Sequence, residues 1–478
     1  MLTDDPLPFI KNYIDAVDEA LQSHKPEAKL SGTQKGWLSF CCLAIALTNS
    51  VCWAKFSRCS LGNYASKALC WMFRYSKIHW ESLLVHSTRV ILKQYGISQG
   101  VLVLDDSDKK RAKSTKRIFK AHKIKDKKSG GYINGQTILI LLLVTPSISI
   151  PVGFAFYMPD PQLSAWYKSN ESLKKQGIPA KERPSKPPKS QEYPTKQELA
   201  LKLLEEFATN FPHLKVPCIV ADALYGTKSF IKPASDLFGG VQVISQLKYN
   251  QKVFFHGKER SLEAFFRIQS PVATTVSIRG KSVSCLLGSA RLHVCAQGKK
   301  CFVIALKYEG EEEYRYLVAS DVSWRTQDIV AAFSLRWLVE VFLQDWKSFE
   351  GWGQLTKQFD EDGSRRSLIL SLLLDHCLLF HPDQLAQLEN KLPAYTVGSL
   401  LEKVKAQSLL HFIKGLIASE QPQDALNYLD ESIQNTFKLR VSKKHMRNRN
   451  LGKLAPSQSL KYKAKQIIDS LQELEAAM

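Results

Sequence analysis

Residues Val101–Ser107 read VLVLDDS, four apolar residues that run straight into two carboxylates. A short apolar run of this kind is a buried β-strand, and this one delivers Asp105 and Asp106 to its C-terminal end. The pattern returns further on. Val216–Val220 reads as a strand running into Ala221 and Asp222, a helix is expected after Gly226, and Val241–Ile244 is the next strand. Strand, helix, strand with an acid at a strand end is α/β architecture. Two more strand-like runs, YINGQTILILLLV and SIPVGFAFYM, lie between, with Thr145, Pro146 and Ser147 at the turn that joins them.

Outward from this core, residues 1–98 are expected to be helical, with aromatic and aliphatic residues at helical spacing in Trp37–Leu47 and Ile78–Leu92. Between those helices, two short ones capped by Asn49 and Ser60 and broken near Cys59–Gly62 resemble a helix-turn-helix. That region is either a DNA-binding element or a small helical bundle without DNA contact. Residues 99–247 hold the first part of the core, including a strongly basic run, Lys109–Gly131. They also carry a Pro- and Lys-rich surface loop within 159–196 and an amphipathic helix at Gln197–Phe211. Residues 248–322 alternate apolar and polar between Gly-containing turns, the pattern of an antiparallel β insertion. Residues 323–355 return to the core through one long helix, Thr326 to about Phe349. Residues 356–478 read as helices, a candidate dimerisation region with a basic patch at Lys438–Asn450.

The composition is that of a globular protein. Of 478 residues, 44% are hydrophobic and 23% charged, which excludes a mostly disordered, fibrous or disulfide-scaffold chain. Lys and Arg number 66 against 45 Asp and Glu, a net charge of +21, which points to a polyanionic partner, nucleic acid before a membrane surface. The acidic start, MLTDDPLPF, lacks the pattern of a secretory signal, and no apolar run reaches membrane-spanning length, so a soluble chain is expected. The ten Cys are scattered and form no pair of CxxC units, as expected of reduced core thiols.

Three acids stand out by context: Asp106 or its neighbour Asp105 at the end of the first strand, Asp222 at the end of a later one, and Glu340 in the long helix. Two strand-end aspartates and a helix glutamate can converge beside a sheet, and oxygen donors of this kind suit hard divalent cations. Phe333, Arg336, Glu340 and Lys347 fall within an arc of roughly 60° on a helix that advances 100° per residue. One face then carries a ring, a guanidinium, a carboxylate and an ammonium. The carboxylate would hold metal, and the two cations would hold phosphates on either side of a scissile bond. The simpler reading, an i, i+4 ion pair of Arg336 with Glu340 on a solvated face, does not explain the surrounding Trp337, Leu338, Val341, Phe342 and Trp346. Lys109–Lys128 is either a solvated loop or a track for DNA backbone, and His122 within it a surface polar group. Tyr225 and Gly226 shape the turn after Asp222, and Trp324 stacks on a base or packs. Asp375 and His376 read as hydrogen-bonded core groups.

Phe333-x2-Arg336-x3-Glu340-x6-Lys347 resembles the Tyr-x2-Arg-x3-Glu-x6-Lys signature (YREK) of bacterial insertion-sequence transposases, the DDE branch related to insertion-sequence family four. VLVLDDS resembles that family's first catalytic block and CIVADALYG its second, in the right order over residues 100–350. The resemblance implies an RNase-H-like mixed-sheet core interrupted by an antiparallel β insertion, with helical N- and C-terminal regions. It implies catalytic and metal-holding roles for Asp106, Asp222 and Glu340 with two Mg²⁺ or Mn²⁺ ions, Asp106 being favoured over Asp105 because Ser107 follows it. Arg336 and Lys347, with Phe333 standing in place of the signature's Tyr, would contact DNA. The implied activity is cut-and-paste transposition on double-stranded DNA, by cleavage at terminal inverted repeats and strand transfer to a target. The implied assembly is a synaptic homodimer in the bacterial cytoplasm, at the nucleoid when bound. A nuclease of the same fold that cuts without joining, and a DNA-binding relic without activity, are the alternatives.

Overall fold

The computed structural model describes residues 5–111, 117–126, 130–278, 280–354, 358–437 and 458–476. The whole basic patch at Lys438–Asn450 and part of the Lys109–Lys128 run lie outside them. The chain divides into one unit of Met1–Leu429 and a second of Asp430–Met478.

The first unit opens with five helices, α1 (Pro8–His24), α2 (Gly32–Thr48), α3 (Trp53–Cys59), α4 (Ser66–Tyr75) and α5 (Trp80–Gln94). Ser31 begins α2 in a reciprocal capping box with Gln34. Asn49 ends α2 rather than starting the next helix: it takes the left-handed conformation at φ 49°, which asparagine tolerates. Ser60 likewise closes α3, its hydroxyl accepting from the Tyr64 amide. The turn into α4 passes through Leu61 and Gly62, both at positive φ.

Four strands follow, β1 (Val101–Lys110), β2 (His122–Lys125), β3 (Tyr132–Val144) and β4 (Ser149–Tyr157), then helices α6 (Pro161–Lys175) and α7 (Lys196–Asn210). After α7 come β5 (Cys218–Ala221), α8 (Lys228–Asp236), β6 (Gln242–Leu247), β7 (Lys252–Phe255) and β8 (Lys258–Ser261). Next are α9 (Leu262–Ile268), β9 (Val272–Ile278), β10 (Lys281–Val294), β11 (Lys299–Tyr308) and β12 (Arg315–Ala319). The unit then continues through α10 (Thr326–Ser334), α11 (Trp337–Ser348), α12 (Glu361–Leu378), α13 (Pro382–Glu389) and α14 (Val397–Ile417). Helix α15 (Pro422–Thr436) runs into the second unit, which also carries α16 (Gln458–Ala476).

The strands form one mixed sheet in the order β2-β3-β1-β5-β6-β12-β11-β10-β7-β8, with β4 on β3 and β9 on β10. β1 is antiparallel to β3 and parallel to β5, and β5 is parallel to β6. The mixed α/β class expected from the sequence is the class observed. The β-rich stretch after Lys248 does not fold apart from this sheet, because β12 pairs with β6 (Ala319 opposite Ile244) and carries β11 and β10 with it.

Strand parity sorts the core into two layers. Val103, Ile140, Val220 and Ile244 join one apolar cluster with α1, α2, α10, α11 and α12. Leu102, Leu104, Leu139 and Ile219 join the other with α7 and α8. Both faces are therefore covered, which is why β3 reads as a continuous apolar run. Among the described residues no helix is long and apolar enough to cross a membrane, and all ten cysteines are free thiols.

Candidate functional site

β1 and β5 run side by side with Leu104 opposite Ala221. The next residue on each chain is an aspartate, Asp105 and Asp222. Both follow the parity of Val103 and Val220, so their carboxylates emerge on the face that α11 covers. α11 lies there because Val339, Phe342, Leu343 and Trp346 bury in that cluster, leaving Glu340 toward the strand ends. Asp105, Asp222 and Glu340 border one open cavity of about 790 Å³, together with Asp106, Asp108, Lys110, Lys125, Arg336, Gln344 and Lys347.

Asp106 has the opposite parity. It follows Leu102 and Leu104 toward the layer of α7, and Lys196 Nζ, at the start of that helix, holds its carboxylate at 2.6 Å. It also borders the cavity, but already ion-paired. The expectation that favoured Asp106 over Asp105 rested on the following serine; register and parity instead put Asp105 beside Asp222. Nothing in the sequence around Lys196, at the end of a Pro- and Lys-rich loop, marks it as a partner for the first strand.

Arg336 ties the site together. Its Nη1 donates to Asp105 at 2.9 Å and its Nη2 to Glu340 at 2.7 Å. Burial pushes the Asp105 carboxyl up to about 6, against the Asp106 amide and Arg336, which pull it down; Asp222 adds to the rise. Burial holds the Lys347 ammonium below its ordinary range.

Phe333 does not share this face. It is 4% exposed and packed in the core. The single long helix expected over Thr326–Phe349 is two helices, α10 and α11, joined by a tight turn at Leu335–Arg336. There the amides of Leu335, Arg336, Leu338 and Val339 bond three residues back, not four. Each such residue advances about 120° instead of 100°, so the 100° spacing does not carry from Phe333 to Arg336.

The basic run is not uniform. Lys110 and Lys125 border the cavity, and Lys110 pairs with Asp126. Lys109 is only 6% exposed; its ammonium donates to the Trp352 carbonyl, lies over the Trp352 ring, and is pulled down to about 6 by burial. His122 is half-buried, its ring nitrogens meeting the Lys120 carbonyl at 3.0 Å and Thr137 Oγ1 at 3.2 Å, rather than a free surface group.

After Asp222 the chain turns through Ala223–Tyr225. A Cβ on Gly226 would come within 2.1 Å of the Gln246 carbonyl oxygen, so only glycine lets this turn lie against β6. Tyr225 is fully buried beside Phe230, its hydroxyl without a hydrogen-bond partner; burial, with Asp106, Asp105 and Asp222 nearby, raises it. Trp324 packs against the core. His376 is fully buried, with Nε2 at 2.9 Å from the Pro151 carbonyl and Nδ1 at 2.6 Å from Ser87 Oγ, which is itself 2.6 Å from Tyr13 Oη. Asp375 and Glu350 form a buried carboxyl pair, both pushed up by burial.

Three carboxylates on one cavity have the donor chemistry of a divalent-cation site. Among the described residues, however, no three of His, Cys, Asp and Glu stand converged as a ligand set, and the Arg336 guanidinium lies between two of the acids.

No curated protein matches the sequence. Among solved structures, the chain is similar to a piggyBac transposase synaptic complex with hairpin DNA (10% identity, TM-score 0.41, covering 94% of this chain and 88% of that one). It is also similar to the NurA nuclease from Sulfolobus solfataricus (7%, TM-score 0.25, 49% and 72%). A third likeness is to Ciona intestinalis Endonuclease V in complex with a 24mer DNA (9%, TM-score 0.23, 54% and 87%). Likenesses this weak bear on neither activity nor substrate. Residues 65–263, which hold Asp105, Asp106 and Asp222, match the model of a family described as DDE superfamily endonuclease.

Proposed function

We propose that this chain is a DDE transposase that cuts double-stranded DNA at the ends of a mobile element and joins the freed end to a target. Asp105, Asp222 and Glu340 are its catalytic carboxylates, with Asp105 in the place that the sequence motif gives to Asp106. What carries the reading is the pairing of two aspartates on adjacent parallel strands, on the face that the Glu340 helix covers. The endonuclease family match over residues 65–263 supports it from the side of sequence. The narrower likeness to insertion-sequence family four rests on the motif residues Arg336, Glu340 and Lys347.

The three carboxylates would hold Mg²⁺ or Mn²⁺, most simply two ions, which when bound activate a water or a 3′-hydroxyl and stabilise the leaving oxygen of a phosphodiester. The protein's own part is positioning and charge. Lys110, Lys125 and Lys347 border the cavity and give the DNA backbone cationic partners. Arg336, with its planar fork of donors, suits a phosphate flanking the scissile bond. In-line transfer needs no covalent enzyme intermediate, so no Ser or Tyr nucleophile is required. Residues 1–98 would contribute to binding the element's ends, and two copies would act on paired ends.

The test is cleavage of DNA carrying the ends that flank the coding sequence, with Mg²⁺ or Mn²⁺, for wild type and Glu340→Ala. Metal-dependent release of a 3′-hydroxyl that disappears in Glu340→Ala, with end binding retained, is expected. Equal cleavage by both proteins would refute the assignment of the site. Cleavage without joining of pre-cut ends to a target would reduce the function to a nuclease, and binding without cleavage by either protein would leave a DNA-binding relic.

A further inference from the structure

Arg336 lies between two of the carboxylates that would hold a metal ion. Its guanidinium spans a carboxylate oxygen of Asp105 at 2.9 Å and one of Glu340 at 2.7 Å. The Asp105 end is shielded: side-chain exposure is 13% for Asp105 and 19% for Arg336, against 51% for Glu340. Oxygen lone pairs engaged by N–H donors are not available to a cation. The acids are thus gathered on one face but not converged on one another, and the group between them is itself a cation.

We propose that Arg336 is an internal counter-cation that latches the carboxylates of the metal-free protein, and that a divalent ion binds only by displacing it. The inference rests on the reading of Asp105, Asp222 and Glu340 as the metal-holding set. Arg336 is placed to let go, because it stands in the tight turn between α10 and α11 and borders the open cavity. A phosphate there is the natural second partner for a freed guanidinium. Ion binding and the release of Arg336 toward DNA are then a single event. In the resting protein the latch neutralises a buried aspartate that would otherwise be left without a counter-charge.

The latch has a measurable signature. A ligand whose competent state is only partly populated binds more weakly by that fraction. Removing the latch should therefore tighten metal binding, whereas a residue that merely supports the site would weaken binding when removed. The experiment titrates Mn²⁺ into the full chain without DNA and counts free ion by electron paramagnetic resonance. It compares wild type, Arg336→Ala, Arg336→Lys and Asp105→Asn, with circular dichroism to verify folding. Expected is Mn²⁺ affinity about tenfold higher in Arg336→Ala. Arg336→Lys, a point charge that pairs with one carboxylate at a time, should fall between that variant and wild type. Asp105→Asn should lose the site. The melting temperature of Arg336→Ala should lie below wild type without Mn²⁺ and recover toward it when Mn²⁺ is saturating. If Arg336→Ala does not fold, Arg336→Lys carries the comparison. Unchanged or weaker Mn²⁺ binding in the folded Arg336 variants, while wild type binds and Asp105→Asn does not, would overturn the latch and leave the metal site standing. Absence of Mn²⁺ binding in wild type and in both Arg336 variants would overturn the metal site itself, and the latch with it.

Discussion

At the scale of single residues, the sharpest distinction is between two neighbours. Asp105 faces Asp222 and the Glu340 helix; Asp106 faces α7 and is ion-paired to Lys196. Asp105→Asn is expected to lower metal-dependent cleavage about 10³-fold or more with end binding intact. Asp106→Asn should keep cleavage within about tenfold and lose about 1 kcal/mol of stability, because Lys196 loses its partner. Single-turnover cleavage and chemical denaturation of both variants check this; the reverse ranking would return Asp106 to the site. The basic run divides in the same way. Lys110→Ala and Lys125→Ala should each flatten the dependence of log DNA affinity on log salt by about one phosphate contact. Lys109→Met, which replaces a buried amine with a side chain of similar volume, should leave that slope unchanged. Binding isotherms at several salt concentrations give all three slopes.

At the scale of elements, two turns set the geometry. The 3₁₀-like joint at Leu335–Arg336 sends Phe333 into the core while Arg336, Glu340 and Lys347 meet the cavity. The turn after β5 fixes Asp222, and it closes only because residue 226 has no Cβ. In Gly226→Ala the added carbon would meet backbone, not a movable side chain end, so a cost of about 1–3 kcal/mol is expected. Because that strain falls four residues from Asp222, cleavage should drop by more than the stability loss alone explains. Denaturation midpoints and cleavage rates of the same protein test both parts, and an unperturbed midpoint would mean that the turn relaxes freely.

At the scale of the whole first unit, the N-terminal helices are joined to the sheet by a buried polar chain. Tyr13 on α1, Ser87 on α5 and His376 on α12 bond in series, and His376 ends on the Pro151 carbonyl of β4. Burial holds the His376 imidazole down to about 4, so it is neutral in the fold. In the unfolded chain it takes up a proton below its ordinary pKa of 6.5. Its contribution is therefore fully present above about pH 6.5 and is lost as pH falls from there toward 4, in total about 3 kcal/mol. The buried acids Glu350 and Asp375 act in the opposite sense, their raised carboxyls favouring the fold at lower pH. The comparison that isolates His376 is wild type against His376→Gln. The stability difference between them should shrink by about 3 kcal/mol between pH 7 and pH 4, and a difference independent of pH would show that the imidazole takes up its proton as readily in the fold as in the unfolded chain.

Much of this protein is determined by local sequence. The apolar runs of β1, β3 and β5, the capping boxes of α2 and of α7, where Thr195 pairs reciprocally with Glu198, and the acids at the strand ends are short-range patterns, fixed by burial and by backbone hydrogen bonding within a few residues. Glu340 was legible from its helical spacing to Arg336 and Lys347, set among Trp337, Leu338, Val341, Phe342 and Trp346. Tertiary structure alone decided the rest. Consecutive strand residues point to opposite faces, so two adjacent aspartates are equivalent until strand register and the packing of α11 say which face holds the site. A lysine run reads as solvated until parity turns Lys109 inward beneath Trp352. The helical spacing of Phe333 and Arg336 holds only for an unbroken helix, and the turn between them is a product of packing. The pairing of Lys196 with Asp106, and the continuity of β12 with β6, join residues distant in sequence, and those contacts exist only once the sheet has formed.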